Sequence, residues 1–224
     1  MKKTVKYLGA LFAFTALLAQ ANASHMALND GEMHVNAALS IEQSLEERTS
    51  FSSLGEFVGL AMEMSEHYKA AACYYNSIGS YGFAAQYQST SDEVYNEAKA
   101  FEHVGVAYQK LLEKIVELED SNADVWEHRD AEYFAFDFAN YLEVAADYAS
   151  KVKDRDFYYF IQPLARDARN AQNRFVSSPN SDAFQYLAYD LILIGDKLGD
   201  IEAIDTIYAG SALENRVQQI MNEM

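Results

Sequence analysis

The sequence predicts an all-α protein, an irregular bundle of about five to seven helices, and three observations carry that expectation. Helix breakers are scarce: 224 residues contain two prolines and ten glycines. Apolar residues recur every three or four positions over long stretches, the spacing that puts them on one face of a helix. No stretch alternates apolar and polar residues as a half-buried strand does. The β-like run Leu191-Ile192-Leu193-Ile194 sits in helical surroundings. With half of all residues hydrophobic, and 16 tyrosines and 13 phenylalanines among them, a large aromatic core is available.

The chain opens as an export signal does. Lys2, Lys3 and Lys6 supply a positive start, Leu8 to Leu18 is apolar, and Ala21-Asn22-Ala23 has the small-x-small pattern of a cleavage site. Residues 1–23 are therefore expected to be a cleaved signal peptide, 24–35 a flexible lead-in, and 36–224 a single α-helical domain in the bacterial periplasm or outside the cell. Ser24-His25-Met26 is compatible with a native junction and with a cloning scar. No later apolar run approaches the ~20 residues of a spanning helix, so no transmembrane segment is expected in the processed form. The single cysteine, Cys73, has no partner within the chain for a disulfide, so the fold must rest on its core.

The elements follow in order. Asn36 to Glu47 reads as a short amphipathic helix. Leu54 to Ile78 comes next, apolar at Leu54, Phe57, Val58, Ala61, Met64, Tyr68, Ala72 and Tyr75. Ser52 or Ser53 can cap it, and Glu56 lies three residues after Ser53 as in a capping box. Its end, Ala70 to Tyr75, is apolar on nearly every side, which predicts a central place in the bundle. Asn76 to Ser91 is the least regular internal stretch and is expected to hold a turn and a short helix. A helix from Asp92 to Glu119 shows a three-four seam of Val94, Ala98, Phe101, Gly105, Tyr108, Leu112 and Ile115. Ser121 to Asp124 breaks it. Further helices are expected over Val125–Val152, Phe157–Val176 with Pro163 kinking it or marking its start, Ala183–Leu198 ended by Gly199, and Ile201–Glu223.

The formal net charge is −17, and removal of the leader would take away three lysines and no acid. A chain this acidic is ill suited to nucleic acid, whose phosphates require a basic face; it suits a basic protein partner, drawn in by long-range attraction. One basic island, Lys151, Lys153, Arg155, Arg166, Arg169 and Arg174, lies within it. Arg166 and Arg169 share the polar face of their helix and are candidates for binding an anion, or for pairing with neighbouring acids.

Metal-ligating patterns are sparse. Glu63 and His67 are four apart, as are Asp124, His128 and Glu132, so each set shares a helix face. One ion could be held between the two helices if they faced each other. Cys73, among Ala70, Ala71, Ala72, Tyr74 and Tyr75, is expected to be a small buried hydrophobe. The run Ile78-Gly79-x-Tyr81-x-x-Ala84-x-x-Tyr87 resembles the turn region of a tetratricopeptide repeat over about ten residues, but nothing repeats it about 34 positions on. A glycine closing a helix accounts for it equally well. Nucleophile-elbow, zinc-protease, phosphate-loop, Cys-x-x-Cys and haem-attachment motifs are absent, and no cofactor is expected.

These readings converge on an exported acidic helical protein that acts by binding another protein, as an inhibitor or immunity-type protein does. Its contact surface is expected at Tyr74, Tyr75, Tyr81 and Tyr87, because tyrosine combines large contact area with a polar tip. The alternative is a helical-bundle sensor or carrier of a small ligand or metal ion.

Overall fold

The computed structural model describes residues 30–48, 51–120, 128–177 and 181–208, together with 211, 214, 215, 217 and 219. Among them are seven helices: α1 (Asp30–Glu47), α2 (Leu54–Ser77), α3 (Tyr81–Asp120), α4 (His128–Ala149), α5 (Asp156–Ser177), α6 (Ser181–Gly199) and α7 (Glu202–Tyr208). The all-α bundle is as the sequence predicts. The expected signal peptide, the Ser121–Asp124 break and most of the final stretch lie outside the described residues.

Two boundaries differ from expectation. Helix α1 begins at Asp30, so residues 30–35 belong to it and not to a lead-in. Its early start follows from burial: Gly31 lies against the rings of Tyr74 and Tyr75, where a Cβ would stand 2.5 Å from a Tyr74 ring carbon. Helix α3 begins at Tyr81, eleven residues before the expected Asp92, and runs for 40 residues, about 60 Å. The Gly- and Ser-rich stretch is helical because it packs along α2. Ala84 and Ser91 are buried there. Ser65 Oγ donates to the Ser91 carbonyl at 3.0 Å, and Ser91 Oγ donates to the Ser65 carbonyl at 2.9 Å. Two small side chains thus cross-link α2 and α3 where larger ones would hold them apart.

The true break before α3 is the three-residue turn Ile78-Gly79-Ser80. Gly79 has φ +77°, the left-handed conformation that glycine adopts without strain. Its N–H donates to the Asn76 carbonyl at 3.2 Å, and Ser80 N–H donates to the Tyr75 carbonyl at 2.8 Å. That is the Schellman closure of a helix C-terminus. At the other end of α2, Ser53 Oγ accepts the Glu56 N–H at 3.1 Å, and Glu56 accepts from Ser52 N–H and Ser52 Oγ. These bonds, with Arg48 beside it, hold the Glu56 carboxyl down to about 2.

Successive helices pack on one another, and α6 returns to α3. Helix α3 is therefore the spine: α2, α4 and α6 all lie on it, and α1 covers α2. The pairs are antiparallel, as Leu54 against Gly105 and Tyr75 against Phe83 show for α2 and α3. The core is threaded by four rings from different parts of the chain. Phe51, Phe57, Phe101 and Phe157 follow one another at centroid separations of 5.1, 5.7 and 4.5 Å, and all are buried. Gly105 receives the Leu54 side chain: a Cβ there would meet Leu54 Cδ1 at 2.5 Å. Pro163 lies inside α5, whose start is Asp156. Among the described residues no helix is long and apolar enough to cross a membrane.

Candidate functional site

The α2–α3 turn brings the sequence-predicted tyrosines to one end of the molecule and divides them into two kinds. Tyr75 and Tyr87 stack with centroids 5.5 Å apart, and Phe83 lies 5.4 Å from Tyr75. Tyr87 also stacks on the buried Tyr68 at 6.2 Å. Tyr74 meets Tyr75 edge-on at 5.5 Å. Tyr74, Tyr75 and Tyr87 are half-buried, and with Gly31 against Tyr74 and Tyr75 they join α1, α2 and α3. Burial raises the pKa of both Tyr75 and Tyr87, and the Glu32 carboxylate of α1 adds to the rise.

Tyr81 is different. It is 70% exposed, and its neighbours Ile78 and Phe83 are 54% and 50% exposed. The three leave apolar surface exposed around the turn, but positions 81 and 83 are two apart on α3 and leave the helix on different sides; Phe83 lies against the ring stack at Tyr75 and Tyr87. Ile78 and Phe83 were not among the expected contact residues; both lie in the stretch expected to hold a turn and a short helix, where their apolar side chains were the available signal.

Cys73 is exposed, contrary to the expected buried state. The adjacent Ala71 and Ala72 are buried, so α2 turns those two inward and Cys73 outward. The end of α2 is accordingly covered on the α1 and α3 sides and open on a third. Helix α3 packs on α2, α4 and α6.

Glu63 and His67 stand 4.0 Å apart on α2, but the expected partners across the bundle are not brought to them. Glu132 is on α4, which packs on α3 and α5; Asp124 and the side chain of His128 lie outside the described residues. Among the described residues no three histidine, cysteine or acidic side chains converge as metal ligands. His67 meets a histidine that sequence spacing did not suggest: His34 of α1, with the two Nδ1 atoms 3.1 Å apart. The two residues are 33 positions apart, and only the α1–α2 packing joins them.

Of the two arginines considered for an anion, Arg169 is taken. Its guanidinium makes a two-pronged contact with Glu143 at 2.8 Å on both prongs, and donates to Asn140 at 2.5 Å and Gln172 at 3.2 Å. It also lies over the Phe136 ring. Pairing with neighbouring acids, the second possibility, is what the structure shows. Arg166 is exposed, 3.8 Å from Asp167, on the open α4–α5 groove with Gln162 and Asn170.

A separate polar cluster lies where α3 passes the α4–α5 turn. Glu97 is buried. Burial first, then the nearby Asp154 and Glu93 carboxylates, push its carboxyl up to about 8. Lys153 pairs with Glu93 and donates to Ser89 at 2.9 Å.

No protein-family model, curated protein or solved structure matches the chain.

Proposed function

We propose that this chain is an exported acidic binding protein that acts on another protein through the turn at the end of α2 and α3, in the manner of an inhibitor or immunity-type protein with a basic partner. The observation that carries the reading is the exposure of Ile78, Tyr81 and Phe83 around one turn. Large side chains left in water on a rigid, ring-stacked base resemble the anchors of protein interfaces. The base is preorganised, so little ordering cost remains to be met on binding. Glu32 beside the stacked rings and the net charge of −17 favour a basic partner over an acidic one.

The test is affinity recovery from periplasmic extract with wild type and a Tyr81→Ala variant. Phe83 and Tyr87 are left intact because their contacts with Tyr75 and Tyr68 would confound folding with binding. Loss of a specific basic protein from the variant's eluate, with the variant's thermal midpoint unchanged, supports the proposal. Equal recovery by both proteins removes this surface from consideration.

A further inference from the structure

We infer that the outer face of α6 is a docking surface for a basic amphipathic helix of another protein, separate from the aromatic turn. Tyr186, Tyr189 and Leu193 are 67%, 63% and 44% exposed. They stand three and four residues apart, so they line one stripe along the helix. A different face of α6 carries Ala183, Leu187, Leu191, Ile194 and Leu198, all buried in the core. The helix is thus apolar on two sides, with the bundle on only one of them. A surface helix needs a single apolar face. The second face is explained by something that covers it.

The stripe lies far from the α2–α3 turn. Gly195 and Gly199 of α6 rest against Leu111 and Tyr108 of α3, about 40 Å along α3 from Tyr81. There α6 runs antiparallel to α3, so Tyr189 and Tyr186 are farther from the turn still. Val217, from the chain's last stretch, is buried in the core, and the stripe is exposed with it there.

Charge selects the occupant. Residues 181–208 hold six acids and one base, Lys197. Asp182, one turn before Tyr186, and Asp196, one turn after Leu193, stand at the two ends of the stripe. Asp190 beside it is paired with Arg174 of α5. A second copy of the chain would bring the same acids against these, and an anionic lipid surface repels them as well. A helix with lysine or arginine on either side of an apolar stripe meets both features. Its apolar side chains lie on Tyr186, Tyr189 and Leu193 while its bases reach the aspartates. Tyrosine suits that role, with a broad apolar ring and a hydroxyl that stays hydrated at the rim.

The experiment uses the full chain and two synthetic peptides of identical composition, built from leucine, lysine and alanine. In one peptide the leucines form a single helical stripe flanked by lysines; in the other the order is shuffled so that no stripe forms. Both carry the same charge, so equal binding reports charge alone. Calorimetric titration should show the striped peptide binding more than about tenfold tighter than the shuffled one, with amide NMR shifts centred on α6. Tyr189→Ala/Leu193→Ala should abolish that preference with the thermal midpoint unchanged, because both side chains stand in water. Tyr81→Ala should keep it, which separates failure here from failure of the reading at the turn. Equal affinity for the two peptides, shifts centred on the turn, or a preference that survives in the double variant overturns the proposal. A dimer of the chain in sedimentation that Leu193→Lys dissolves also overturns it, by identifying a second copy as the occupant. Binding to phosphatidylglycerol vesicles that the double variant loses does the same in favour of a lipid surface.

Discussion

Replacing Glu97 by glutamine tests the electrostatics of the core at one atom. The carboxyl is buried on α3, and its folded pKa is raised from 4.5 to about 8, chiefly by burial and secondarily by Asp154 and Glu93. The folded chain therefore holds a proton there that the unfolded chain gives up above about 4.5. Unfolded protein binds fewer protons than folded over that window, so stability falls as pH rises. The contribution is complete below the unfolded value and is lost as pH climbs to the folded one. One proton over one pH unit is worth about 1.4 kcal/mol, so the window from 4.5 to about 8 corresponds to up to roughly 5 kcal/mol. Glutamine keeps the shape and carries no titrating proton. Urea unfolding of wild type and Glu97→Gln from about pH 5 to about pH 9 reports this group together with its coupling to Asp154 and Glu93, because acids remote from it contribute equally to both proteins. The stability difference should move in favour of glutamine by about 1.4 kcal/mol per pH unit and level off near pH 8. Parallel profiles for the two proteins would refute the reasoning, since they would mean that Glu97 ionises alike in the folded and unfolded chains.

Other perturbations address the elements that hold the site. Ser53→Ala removes the cap of α2 and should cost about 1 kcal/mol in chemical denaturation. Gly79→Ala forces a Cβ into a φ of +77° and should cost about 1 kcal/mol, which a lowered thermal midpoint would report. Phe101→Ala opens the ring column between Phe57 and Phe157 and should cost about 3–5 kcal/mol in urea unfolding.

What sequence could show, and what it could not, divides by range. The seam from Val94 to Ile115 was legible because a single helix sets its periodicity: six of the seven expected positions are buried and Ile115 is half-buried. The capping of α2 by Ser53 was legible because the partner is three residues away. A turn and a short helix were expected between Asn76 and Ser91, but not that the helix from Tyr81 runs on unbroken past Asp92. Local composition there favours an interruption, and the burial of Ala84 and Ser91 against α2 overrides it. Cys73 was misjudged because an all-apolar neighbourhood does not say which residue of a turn faces out. The His34–His67 contact depends on how two helices pack, and no spacing within either helix contains it. Arg169 was correctly placed on a polar face, yet Glu143, 26 positions away, decides what it does.

The central claim is that the exposed rings of the α2–α3 turn meet a partner while the buried ones hold the fold. Site-specific photo-cross-linking in cells tests it most directly, with the reactive side chain at Tyr81 or, as a control, at Tyr159 on α5, which is 67% exposed. A discrete protein adduct is expected from position 81 and none from position 159. No adduct from 81, or the same adduct from both positions, would contradict it.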